Sequence, residues 1–218
     1  MKDGSGILAS IEGISGTGKS YFVSKLRNEL QDIPARFLPE LSDRTGDGMD
    51  RKIIAALRQT NDQFLRTGLP RTETFLLLAL KIFDYENTIA NSLKRGEMVI
   101  EDRSIDSIAV YQSIMLCSNN GDQMLKTANE IYELVSHWRQ PPDITFLIQD
   151  DFQTAVRRAE TRQKRPFTSD ELGILRRASN LYSEYATFHK QRIVPLDRRR
   201  MNDARILDEM KQSLLARS

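Results

Sequence analysis

The stretch Ser10–Leu26, "SIEGISGTGKSYFVSKL", sets glycines at 13, 16 and 18 and a Lys-Ser pair between an apolar run and an amphipathic one. Gly13, Gly18, Lys19 and Ser20 satisfy the spacing G-x-x-x-x-G-K-[ST], in which glycines let backbone N–H groups turn inward and cradle a polyphosphate. That spacing carries weight when it follows a strand and opens a helix. Both flanks qualify. "ILASIE" before it is a short apolar run, and from Lys19 onward Phe22, Val23, Leu26 and Leu30 fall at helical spacing, with Pro34 at the exit. The candidate phosphate-loop contacts are therefore Gly13, Ile14, Ser15, Gly16, Thr17, Gly18, Lys19, Ser20 and Tyr21, with Lys19 on the terminal phosphates of the bound polyphosphate and Ser20 as a ligand of Mg²⁺.

Outward from this loop, apolar runs alternate with longer periodic stretches. "ILASIE", "ARFLPE", "EMVIED", "DITFLIQ" and "RIVPLD" each read as a buried strand. Strands separated by helices predict an α/β domain, a parallel sheet with helices on both faces. Ligands of such sheets sit at the carboxyl ends of the strands. Acidic residues close every run: Glu12, Glu40, Glu101 with Asp102, Asp150 and Asp197. The stretch Thr72–Lys94 predicts a mostly buried central helix carrying Phe75, Leu76, Ala79, Ile82, Phe83, Ile89, Ala90 and Leu93, stopped at Gly96. Ser118–Asp122 is a turn cluster, and Pro141-Pro142 closes another helix.

Composition narrows the alternatives. A chain of 218 residues suits one well-buried domain, here taken as 1–218. Lys and Arg total 32 against 30 Asp and Glu, so no nucleic-acid or membrane partner is demanded by charge. Cys117 is the only cysteine, which excludes an internal disulfide, and His137 and His189 are too far apart in sequence to suggest a zinc pair. The start lacks the apolar core of a signal peptide and no segment approaches ~20 uninterrupted apolar residues, so the expected setting is the cytoplasm.

Two further constellations carry chemistry. Asp102-Arg103 closes a predicted strand and offers a carboxylate for Mg²⁺ and a guanidinium that can clamp a phosphate bidentately. In "RRAETRQKRPF", Arg158 and Arg162 lie at i, i+4 on one helical face, with Arg165 beyond on a proline-broken segment and Phe167 standing alone. Arg157 reads as part of a solvated face.

These residues resemble the thymidylate kinases, within the P-loop nucleoside and nucleotide kinases. Glu12 through Ser20 is similar to their phosphate loop; Asp102-Arg103 with Ser107, Tyr111 and Gln112 resembles their DR-x-x-x-S-x-x-x-Y-Q segment; and Pro142–Leu147 resembles their fourth strand. The resemblance implies a three-layer α/β/α P-loop kinase with a five-stranded sheet in the order 2-3-1-4-5 and a small helical lid over about 158–170. It implies ATP and Mg²⁺, a small-molecule phosphate acceptor, and a homodimer formed through helices that include the one from Thr72. The phosphate loop holds no arginine between Gly13 and Lys19, so Arg158 or Arg162 of the lid is the expected transition-state cation beside Lys19 and Arg103. "DRRRMND", from Asp197, falls where the family contacts adenine, and an arginine stacked there or a solvated turn would both account for it.

Acceptor contacts depart from the family together. Ser15 stands where a carboxylate is usual in the loop, Leu77 where an aromatic stacks on thymine, and Lys81 where an arginine bonds the pyrimidine. Leu77, Lys81, Arg103, Ser107, Tyr111, Gln112 and Phe167 are the expected acceptor contacts, and dTMP itself is expected to be a poor acceptor. A monophosphate acceptor needs no general base. A hydroxyl acceptor does, and Glu40 of "LPEL" is the candidate. A nucleotide-binding regulatory protein would have no use for an acceptor-phosphate clamp at Arg103.

Overall fold

The computed structural model describes residues 6–41, 48–58, 62–117 and 121–217. Five strands, β1 (Leu8–Glu12), β2 (Ala35–Leu38), β3 (Met98–Asp102), β4 (Ile144–Gln149) and β5 (Ile193–Asp197), form one sheet in the order β2-β3-β1-β4-β5. Every pairing is parallel, with Leu8 opposite Val99 and Ala9 opposite Ile144. β1 and β3 are buried along their whole length, as strands covered on both faces must be. Parallel neighbours require crossovers, and helices supply them: α1 (Lys19–Glu29), α2 (Met49–Leu57), α3 (Pro70–Asp84), α4 (Ala90–Lys94), α5 (Ile105–Leu116), α6 (Gly121–Ser136), α7 (Phe152–Gln163) and α8 (Ser169–Phe188), while α9 (Asp203–Leu215) follows β5. One core packs α3, α5, α6 and α8 on one face of the sheet; a second packs α1 and α9 on the other.

Local chemistry explains the boundaries. Ser104 caps α5 by accepting from Asp106 N, Asp151 caps α7 through Thr154 N, and Thr168 with Glu171 forms a complete capping box on α8. β2 ends at Leu38 ahead of Pro39, so Glu40 lies two residues past the strand it was expected to finish.

The helix expected over Thr72–Lys94 is α3 and α4 joined by a π-turn at Tyr85–Ile89. Ile89 and Leu93 are buried as expected, but over α3 the buried face differs from the expected one. Glu73, Thr74, Leu77, Leu78, Leu80, Lys81 and Asp84 are buried, while Phe75 is 63 % exposed. The apolar pattern pointed elsewhere because buried polar partners, not apolar residues alone, face inward here: Glu73 accepts from Thr67 Oγ1 and Leu69 N, and Thr74 donates to Pro70 O. Of the expected turn at Ser118–Asp122, residues 118–120 lie outside the described residues, and Gly121 and Asp122 open α6.

A buried ion pair ties α5 to the sheet. Asp106 accepts from both Arg192 Nη atoms at 2.7 and 2.8 Å, from Thr145 Oγ1 at 2.8 Å and from Tyr185 OH at 2.9 Å. Breaking such a pair strands a buried charge. Arg192→Met is expected to destabilise the fold by about 3–5 kcal/mol, read as a lowered urea midpoint, and the double change with Asp106→Leu to recover part of that loss.

Candidate active site

At the carboxyl end of β1 the chain turns into the loop that precedes α1. Gly13 and Gly16 take positive φ, 134° and 85°. A Cβ at Gly16 would lie 1.8 Å from Ala155 O, so the loop and the start of α7 approach each other over a bare backbone. Lys19 is buried and donates to Ile14 O at 2.9 Å. Burial first, then the Arg103 charge, bring its pKa down to about 7. Arg198 braces the loop from outside: Nη1 donates to Thr17 O at 3.0 Å, and the guanidinium is held by Asp203 and lies 5.4 Å from the Phe22 ring centre. Arg199 and Arg200 pair with Asp197, so two of the three consecutive arginines belong to the turn itself.

The strand-end carboxylates divide by their partners. Glu101 is held by Arg139, at 2.7 and 3.3 Å, and by Lys81; Asp150 by Arg158; and Asp197 by Arg199. Asp102 differs. Its Oδ2 accepts from Ser20 Oγ at 3.2 Å, and its Oδ1 is buried with no hydrogen-bond partner. Burial raises its pKa, and a cation would reverse that. An orphaned carboxylate oxygen beside a hydroxyl fits Mg²⁺, which is typically held by one or two protein oxygens, with water and phosphate completing its octahedron. Among the described residues no three His, Cys, Asp or Glu side chains converge on a metal position.

Beyond Ser20 opens a cavity of about 560 Å³. Ser15, Glu40, Arg103 and Arg162 line it together with Leu77, Lys81, Ser107, Tyr111 and Gln112, so most of the acceptor contacts expected from sequence are in one place. Arg103 sits in the left-handed region, φ 65°, a conformation costly for an arginine and held here by its surroundings. Its backbone N donates to Ile11 O and its carbonyl accepts from Lys81. Nη1 donates to Ser107 Oγ at 3.1 Å, while Nε lies 2.9 Å from Glu40 Oε1 without an aligned hydrogen bond. Lys81 is a support for Arg103 and Glu101, not a cation presented to a base, because its ammonium is buried among Glu101, Asp84 and the Arg103 carbonyl.

Other expectations are not met in space. Phe167 is buried in the core beneath α7 and α8 and does not line the cavity. Arg158 turns to Asp150, and of the two candidate lid arginines only Arg162 reaches the cavity. The lid segment 158–170 is the end of α7, a turn over 164–168 and the start of α8. That turn is pinned: Arg165 makes a bidentate pair with Glu171, and Phe167 N donates to Glu160 Oε1 at 2.9 Å. Sequence reasoning missed Gln63, Phe64 and Leu65, which form another wall of the cavity. The one signal available was an apolar pair inside the polar connection between α2 and α3.

Glu12 holds this arrangement together. It is fully buried and accepts from Ser104 N at 2.6 Å, Ser104 Oγ at 3.1 Å, Tyr182 OH at 3.1 Å and Ser107 Oγ. Burial, then the charge of Asp106, raise its pKa from 4.5 to about 6. A carboxyl group raised on folding stabilises the protein fully below pH ~4.5, and that contribution is lost as pH rises through ~6. Glu12→Gln should therefore flatten the melting temperature between pH 4.5 and 7 relative to the parent, measured by calorimetry across that range.

With this geometry in view, the comparisons with known proteins agree. The family model for thymidylate kinase matches residues 11–204. A probable thymidylate kinase of Methanoculleus marisnigri is 30% identical over 192 residues, covering 88% of this chain and 86% of that protein. A thymidylate kinase of Bifidobacterium longum is 32% identical over 164 residues, 74% of this chain and 75% of the relative. The crystal structure of thymidylate kinase from Ehrlichia chaffeensis shares the fold, with a TM-score of 0.68 over 97% of this chain and 99% of that one at 20% identity. A five-stranded parallel sheet with its phosphate loop and Asp102-Arg103 on adjacent strand ends, matched along nearly the whole chain, makes this protein a member of the thymidylate kinase family.

Proposed function

We propose that the protein transfers the terminal phosphoryl group of ATP to a nucleoside monophosphate, and that dTMP is not its best acceptor. The observation that carries this reading is the single cavity running from Ser15 and Ser20 of the phosphate loop past Arg103 and Arg162 to an apolar slot at Leu77, Ile108 and Tyr111. Backbone N–H groups of the loop and Lys19 hold the donor phosphates. Ser20 and Asp102 would hold Mg²⁺, which when bound neutralises charge on the donor phosphates. Arg103 grips the acceptor phosphate; its Nη1 is steadied by Ser107 and its Nε has no aligned partner. An oxygen of that phosphate attacks the terminal phosphorus as the bond to the ADP oxygen breaks. The attacking oxygen is already anionic, so no proton need be removed.

A hydroxyl acceptor with Glu40 as base is the second reading, favoured by the position of Glu40 in the same cavity. Electrostatics argue against it. Burial alone would raise the pKa of Glu40, but Arg103, Lys19 and Arg162 outweigh burial and hold it low. A carboxylate so stabilised is a poor proton acceptor. Its better use is to keep Arg103 extended into the cavity until the acceptor phosphate takes its place.

Leu77 offers no π-face, Ser15 no carboxylate and Lys81 no free donor, which together favour an acceptor other than dTMP. A homodimer through the outer face of α3, where Phe75 is exposed, and a cytoplasmic setting belong to the same reading. No helix among the described residues is long and apolar enough to cross a membrane.

ADP release with a panel of nucleosides and monophosphates tests this directly: turnover with monophosphates supports it, and turnover with nucleosides alone would shift the assignment to Glu40. On the best acceptor, Arg103→Lys should lower kcat/KM by about a hundredfold despite keeping the charge, because an ammonium cannot reproduce a planar fork on phosphate. Arg162→Ala should lower kcat by about a hundredfold with the KM for ATP little changed, whereas Arg158→Ala should leave kcat within about threefold. Equal losses in the two variants would remove Arg162 from the transition state.

A further inference from the structure

We propose that Arg139, in the connection between α6 and β4, is a positioning residue for the Arg103 clamp: by neutralising Glu101 it leaves the Lys81 ammonium free to hold the Arg103 carbonyl. The inference rests on the reading of Arg103 as the grip on the acceptor phosphate. The side chains of Arg139 and Glu101 are fully buried, and neither lines the cavity. A pair so placed adds little net stability, and its use lies in what it fixes around it.

Arg139 Nη2 donates to Glu101 Oε2 at 2.7 Å and Nη1 to Oε1 at 3.3 Å. Lys81 Nζ reaches the same Oε1 only at 3.3 Å, beyond the roughly 2.7–2.9 Å of a close charge-assisted bond. Its short bond, 2.5 Å, goes to the Arg103 carbonyl. An ammonium prefers a carboxylate to a neutral carbonyl, so this division holds only while another cation satisfies the carboxylate. Arg139 is that cation. Burial alone would raise the pKa of Glu101, but Arg139 first and then Lys81 outweigh burial and hold it low. The same guanidinium also places Lys81. Nη1 donates to the Lys81 carbonyl at 3.3 Å, which accepts from Tyr85 N as well. A side chain inserted into a helix ladder distorts it, and here α3 gives way to the π-turn at Tyr85–Ile89, with the Arg139 guanidinium 5.8 Å from the Tyr85 ring centre.

The far end of this relay is a single peptide unit. Between Arg103 and Ser104 the N–H donates to Glu12 and the carbonyl accepts from Lys81, so the peptide plane is held at both ends. Arg103 needs such a hold, because its φ of 65° lies where an arginine does not rest unaided. With Arg139 removed, Glu101 draws Lys81 off the carbonyl and the peptide is released at one end. Arg103 can then leave the conformation that carries its guanidinium to the cavity. The loss falls on the acceptor phosphate, whatever base it carries, and not on ATP.

The test compares the parent with Lys81→Met, Arg139→Met and the double change Glu101→Met with Arg139→Met. NMR reads the Arg103–Ser104 peptide directly when arginine carries a ¹³C carbonyl and serine ¹⁵N, since Arg217–Ser218 is the one other Arg-Ser pair in the sequence. Both single changes should move that signal. The double change removes the competing carboxylate along with its partner and should return the signal toward the parent's position. Steady-state kinetics with ATP and each of dTMP, dUMP, dGMP and AMP should follow the same order. For every monophosphate turned over, KM should rise about tenfold in the single variants and recover to within about threefold in the double, with the KM for ATP unchanged. A merely structural role predicts instead a smaller active fraction, seen in kcat with both KM values kept. Where the stranded charge of Arg139→Met prevents folding, Lys81→Met and the double change carry the comparison. A signal unmoved in either single variant, or a double change displaced as far as the single ones, would overturn the proposal. Signals in the expected order with every acceptor KM unchanged would keep the relay and remove Arg103 from acceptor binding instead.

Discussion

The buried carboxylate of Glu12 is the constraint on which the site depends. It ends β1, the central strand, and accepts hydrogen bonds from the first residue after Arg103, from α5 through Ser107 and from α8 through Tyr182. A charge in so dry a place is tolerable only because every donor around it is aimed at it. Those bonds close the turn that keeps Arg103 in a left-handed conformation, and that turn throws the guanidinium sideways across the strand ends, where the phosphate loop opens. One desolvated carboxylate therefore ties the segment that follows β3 to the end of β1, beside the phosphate loop.

Charge at the strand ends is otherwise largely neutralised within the protein. Glu101 is consumed by Arg139 and Lys81, Asp106 by Arg192, and Asp150 by Arg158. Buried ion pairs of this kind add little net stability but fix geometry, because each partner left alone would be costly. Lys81 illustrates the consequence: held by Glu101, Asp84 and the Arg103 carbonyl, it is part of the scaffold beneath Arg103. Against this background of satisfied groups, the unsatisfied ones stand out. Asp102 Oδ1 is buried beside Ser20 with no hydrogen-bond partner, as are Gln63 Nε2 and Tyr111 OH in residues that line the cavity.

The phosphate loop, the alternation of strands and helices, the Asp102-Arg103 pair and the membership in the thymidylate kinase family were legible in the amino-acid order. Each is a local pattern, with glycines where the backbone must take positive φ and β-rich runs of a length that only a buried parallel sheet accepts. Arg158 and Arg162 were indistinguishable in sequence, since both occupy one helical face. Phe167 looked like a pocket residue because it stands in a polar segment, yet the bidentate pair of Arg165 with Glu171 folds that segment back and drives the ring into the core.

Order along the chain thus determined which residues could handle phosphate, because phosphate binding uses contiguous backbone N–H groups and a helix start, and both are written consecutively. Tertiary structure alone decided which side chains line the cavity beside the phosphate loop. Glu40, Arg103, Phe64, Tyr111 and Arg162 come from just beyond β2, just beyond β3, the connection before α3, α5 and α7, and their meeting depends on the register of a parallel sheet and on where buried charges find partners. Such partners are chosen by distance in space, across as many as 170 residues between Glu12 and Tyr182, and no spacing in the sequence encodes them.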